Sequence, residues 1–90
     1  MGNKEEAQKH LERGMSFYNM DRFSDAITEF TKAINLYPSF AGFYSNRGAA
    51  YGQQGKYSEA IADFEKALQL DPGNPQFRNN IVMTKRARGW

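Results

Sequence analysis

The chain has no cysteine, which excludes disulfides and thiolate metal centres and makes a reducing, cytoplasmic setting the expected one. It has a single histidine, His10, too few imidazoles for a histidine metal site. Nowhere does an apolar run approach the ~18–20 residues of a membrane-spanning helix. Mean hydropathy is −0.77. The start, Met1-Gly2-Asn3-Lys4-Glu5-Glu6, is polar and is not a signal peptide. Ala7 stands where a myristoylated Gly2 would want Ser or Thr, so no lipid is expected. Acidic residues are missing after Asp71, while Arg78, Lys85, Arg86 and Arg88 follow it. Such a basic end could touch nucleic acid or an acidic protein. The plainer reading is cations on the last turns of a helix, where they complement its dipole. Nucleic acid is therefore the least favoured partner.

Catalytic patterns are also missing. The chain shows no glycine-rich phosphate loop and no nucleophile beside a base. Asp25 with Glu29, and Glu59 with Asp63, stand one turn apart and read as ordinary surface charge. His10 reads as a packing residue. The expectation is no enzyme, no cofactor, no metal and no small-molecule substrate.

What the chain does have is a period of 34 residues. Arg13-Gly14 recurs as Arg47-Gly48, and Phe17 as Tyr51. Phe23-Ser24-Asp25-Ala26-Ile27 recurs as Tyr57-Ser58-Glu59-Ala60-Ile61. Phe30, Lys32, Ala33, Leu36 and Pro38 recur as Phe64, Lys66, Ala67, Leu70 and Pro72. A fixed period of this length marks stacked helical hairpins, each burying its apolar face on a neighbour.

Five helices are expected. The first runs to about Asn19 from a capping box of Asn3 with Glu6. Met20-Asp21-Arg22 turns the chain into a second helix, about Phe23 to Leu36, which Pro38 ends. Ser39 is the expected cap of a third helix to about Gln54. Gly55, matching Asp21, supplies the next turn, and a fourth helix covers about Lys56 to Leu70. Asn74-Pro75 opens a fifth, to about Arg88. One domain over 1–90 follows: repeat one at about 7–40, repeat two at about 41–74 and a capping helix at about 75–88. Phe77, Ile81 and Val82 are expected to cover Ala60, Phe64 and Leu68.

The mid-helix glycine, the aromatic three residues on, the Ala-x-x-x-Phe-x-x-Ala of the second helix and the closing proline together resemble the tetratricopeptide repeat. The resemblance implies an all-α, right-handed stack of antiparallel helical hairpins, an α-solenoid. It implies that Gly14 and Gly48 let each first helix approach Ala26 and Ala60 on the second. Val82 stands where a third repeat would carry its glycine, which suits a cap.

The resemblance further implies a scaffold that binds a protein or peptide in its concave groove. That face would carry Leu11, Met15, Tyr18 and Asn19 from the first helix. Ser45, Asn46, Ala49 and Gln53 would come from the third. Asn79, Met83 and Arg86 would come from the fifth, with Gln8, Gln76 and Asn80 beside them. The competing reading is that Leu11, Met15 and Met83 only finish the packing. The family's carboxylate clamp for chaperone tails needs cations at the places held here by Leu11, Gln76 and Asn80. Of its pattern only Asn46 is kept, so chaperone-tail binding is not expected. Another class of function is self-association as a homodimer. Two repeats make a small core, and Gly89-Trp90 reads as the edge of a truncated or designed minimal array.

Overall fold

The computed structural model describes residues 3–89, so the readings of Gly2 and Trp90 lie outside the described residues. It holds α1 (Asn3–Asn19), α2 (Phe23–Leu36), α3 (Ala41–Gln53), α4 (Tyr57–Leu70) and α5 (Pro75–Arg88). Each helix packs on the next in sequence, and α1 also reaches α3. The result is an all-α stack of two hairpins, α1–α2 and α3–α4, with α5 laid against α4. Its extents are 41 × 30 × 16 Å, a slab rather than a ball. No helix among the described residues is long and apolar enough to cross a membrane.

The two intra-hairpin turns are built alike. Asp21 has φ 58° and Gly55 has φ 76°, the left-handed conformation that lets a helix end and reverse. The backbone N–H of Arg22 donates to Phe17 O, and that of Lys56 to Tyr51 O, each at 2.9 Å. These bonds satisfy carbonyls that the helix end would otherwise orphan. Glycine holds the conformation freely in the second turn, while aspartate holds it at some cost in the first.

Helix starts depart from expectation at two places. Asn3 is itself helical, within α1 rather than capping it. The cap of α3 is Phe40, not Ser39, and no side chain closes it. Ser39 lies in the turn after Pro38, while the Phe40 ring packs edge-on against buried Phe43 at 4.9 Å. An aromatic contact took the place of a hydroxyl cap. The α5 start is as expected: the Asn74 side chain accepts from Gln76 N at 2.9 Å, with Pro75 at the first position.

One apolar cluster runs through the stack, from Ala7 and Leu11 of α1 through Phe30 and Phe43 to Phe77 of α5. The mid-helix glycines face aromatic rings more than alanines. A Cβ on Gly14 would stand 2.5 Å from the Phe30 ring. One on Gly48 would stand 2.9 Å from the Phe64 ring and 3.2 Å from the Ala60 carbonyl. Neither fits without movement, so the close approach requires glycine. On α5, Phe77 is buried and Ile81 half-buried. Val82, expected to cover α4, is instead 40% exposed: its register is that of Gly14 and Gly48, the side where each hairpin's second helix lies.

Candidate functional site

The first helices of the hairpins, with α5, line two adjoining depressions on one face. The smaller, about 280 Å³, lies between α1 and α3 over Phe30, with Met15, Tyr18, Asn19, Asn46 and Ala49 as walls. The larger, about 350 Å³, lies between α3 and α5 over Phe64. Tyr18, Ala49, Gln53, Tyr57, Asn80 and Met83 border it, with Gly48, Gly52, Thr84 and Ala87. Tyr18 and Ala49 belong to both, so the depressions form one groove. Among the described residues, no charged side chain lines either depression. The Tyr18 hydroxyl accepts from Gln53 Nε2 at 3.3 Å, a contact between the two hairpins across the groove.

The structure brings Met15, Tyr18, Asn19, Asn46, Ala49, Gln53 and Met83 to this groove together. Met15 is 47% and Met83 66% exposed, so neither is a packing residue. Leu11 is a correction: it is buried in the core cluster and lines neither depression. Ser45 is half-buried, its hydroxyl donating to Gly42 O at 3.2 Å outside the groove lining. Asn79 and Arg86 are exposed on α5 and also outside that lining.

Sequence reasoning missed Gly52, whose register in the first hairpin is Tyr18. A Cβ there would meet nothing within 4 Å, and this open floor makes the second depression the larger. Comparing the two repeats position by position carries that signal. It also missed that Phe30 and Phe64, read as core, each keep an edge on the groove.

Behind the groove, two acids depart from the surface-charge reading. Glu29 and Asp63 are buried, at 9% and 6% exposure. His10 Nδ1 lies 2.8 Å from Glu29 Oε1 and donates to it, so His10 is a polar partner rather than mere packing. Lys32 Nζ approaches the other oxygen at 3.5 Å. The His10 hydrogen bond holds the Glu29 carboxyl below its ordinary value; burial opposes this, and the Lys32 charge assists. Arg47 grips Asp63 with two bonds of 2.8 Å, from Nε and an Nη. A third bond, 3.2 Å to Thr31 Oγ1, ties α3 to α2. Those bonds to Asp63 raise the Arg47 pKa further, against burial. Both pairs join one helix of a hairpin to the other, and neither acid lines the groove.

Family comparison agrees with the repeat architecture. One tetratricopeptide repeat model matches residues 41–74 and a second TPR repeat model matches 14–55. The chain belongs to the tetratricopeptide repeat (TPR) family. Among solved structures, it is similar to the Arabidopsis OM64 TPR domain: 27% identity, TM-score 0.90, over 94% of this chain and 70% of that one. The second TPR domain of human RPAP3, in complex with the HSP70 peptide SGPTIEEVD, has 33% identity and TM-score 0.84, over 88% of this chain and 66% of that one. The yeast Sti1 TPR2AB domain, in complex with an HSP90 peptide, has 29% identity and TM-score 0.89, over 92% of this chain and 32% of that one. No curated protein sequence matches the TPR chain directly.

Proposed function

We propose that this TPR domain is a protein–protein interaction module that takes a partner segment in the groove between α1, α3 and α5. Two structural relatives carry chaperone peptides, which supports a peptide as the ligand class. One observation supports a ligand chemistry: among the described residues, the groove is lined without a charged side chain. A cation-free lining has nothing to neutralise a terminal carboxylate, and burying that charge unpaired is costly. The clamp positions hold Leu11, Met15, Asn46, Gln76 and Asn80. The ligand is therefore an uncharged segment whose apolar side chains enter over Phe30 and Phe64. Asn46, Asn80 and Gln53 orient its backbone, and Met15, Tyr18 and Met83 supply adaptable apolar contact.

The test is selection from a short-peptide library, followed by titration of the winner against the full chain. Tyr18→Ala and Asn46→Ala are each expected to weaken binding about tenfold, the scale of a groove anchor, with helicity unchanged. Undiminished affinity in both variants overturns the assigned face. A peptide ending Glu-Glu-Val-Asp is expected not to bind through its carboxylate. Micromolar binding that disappears on amidation of that end overturns the neutral-ligand reading.

A further inference from the structure

We propose a second docking surface: the outer face of α5, which takes an acidic amphipathic helix from a partner protein. The argument begins with register. Moved by two periods, α1 lies on α5, so Arg78 takes the place of His10, Val82 that of Gly14 and Lys85 that of Phe17. In the first hairpin this is the side of α1 against which α2 packs. There His10 reaches the Glu29 carboxylate, and Gly14 lies against Phe30. On α5 no helix among the described residues lies there. Arg78, Val82 and Arg86 are exposed, and Val82 is 40% so.

Charge chooses the occupant. Every charged residue after Asp71 is basic. Arg78 uses one guanidinium nitrogen on the Pro72 carbonyl at 3.1 Å, which fixes the group in place with donors to spare. Against this face, a second copy's α5 would set cation on cation. The other end of the stack is no better a mate. Lys9 of α1 stands where Phe43 and Phe77 are buried in the later helices, so that end is polar, with Lys4, Glu5, Glu6, Lys9 and Glu12 all exposed. A foreign helix with a carboxylate in the register of Glu29 complements Arg78 as Glu29 complements His10.

Shape narrows the occupant further. A Cβ at Gly14 or Gly48 runs into the opposing phenylalanine ring, and Val82 brings a whole isopropyl group to that register. The partner helix must carry a small residue there, alanine or serine, where α2 and α4 carry Phe30 and Phe64. This helix is thus distinct from α2 and α4.

The probe is a synthetic peptide with the sequence of residues 23–36 carrying Phe30→Ala, titrated into the full 90-residue chain and followed by backbone amide NMR shifts. Shifts are expected to concentrate at Arg78, Val82 and Lys85 and to be the same in the groove variant Asn46→Ala. Arg78→Glu with Lys85→Glu is expected to weaken the peptide about tenfold, the combined scale of two exposed ion pairs. The peptide that keeps Phe30 is expected to bind several-fold more weakly, and Val82→Gly to restore it. Absence of shifts on α5, or shifts indifferent to the charge reversal and to Val82, overturns the proposal. So does a single-stranded oligonucleotide that binds the same residues more tightly than the peptide, since the face would then be a phosphate surface.

Discussion

The two hairpins carry the same buried acid and answer it differently. Glu29 and Asp63 are one period apart, each on the second helix of its hairpin. In the first hairpin the partner is His10, with Lys32 assisting from the surface. In the second it is Arg47, in a fork-to-fork grip that also holds Thr31. Arg13, the counterpart of Arg47, is exposed; Tyr44, the counterpart of His10, is buried with its hydroxyl donating to the Pro38 carbonyl at 3.0 Å. Arg47 also stands about 6 Å from the Tyr44 and Tyr51 rings, within cation–π reach. The lesson is that the fold demands a hydrogen-bond donor facing this acid but not from a fixed position. One hairpin uses a bidentate guanidinium and the other a single imidazole nitrogen.

Breaking the stronger grip gives the largest effect. Arg47→Ala leaves Asp63 without its partner at 8% side-chain exposure, and should cost about 3 kcal/mol in urea unfolding. Arg13→Ala, on the same register, should stay within about 0.5 kcal/mol. Equal costs for the two would erase the distinction between the hairpins.

His10→Ala comes next. Glu29 keeps Lys32, so the loss is that of one charge-assisted hydrogen bond, about 2 kcal/mol by the same measurement. A loss matching that of Arg47→Ala would mean that Lys32 contributes nothing.

The pH dependence carried by Glu29 is smaller. The folded-state pKa of Glu29 lies below its ordinary 4.5. Its contribution is therefore fully present above about pH 4.5 and is lost as the pH falls through the lower, folded value. Melting curves of Glu29→Gln should lose that part of the acid slope. An unchanged slope would show that Glu29 is not held down. Arg47 has the opposite sign, with a raised pKa, so its contribution is unaffected across ordinary pH.

Thr31→Val should give the smallest change, about 1 kcal/mol or less, since Arg47 keeps both bonds to Asp63. Chemical unfolding resolves it against the valine's better apolar packing.

The architecture was legible because it repeats. Gly14 and Gly48, Phe30 and Phe64, and the proline-closed second helices state the same packing problem twice. Turns were legible at Asp21 and Gly55 for the same reason. Local capping was less so: Ser39 is a better cap than Phe40 by chemistry alone, but the Phe40 ring found Phe43. The buried acids were illegible. A carboxylate on a helix reads as surface until a cation on a different helix is known to reach it.

Helix count, hairpin pairing and family follow from the amino-acid order alone, since periodic apolar spacing and short turns leave few ways to stack these helices. Tertiary structure decided the rest. It buried Leu11 and exposed Val82, because burial depends on which neighbour is present and not on hydrophobicity alone. The groove is open at Gly52 because the α5 side chains that border it stay more than 4 Å from where a Cβ would stand. Glu29 and Asp63 became interior groups because interhelical distance, which no local pattern encodes, brought His10 and Arg47 within hydrogen-bonding reach.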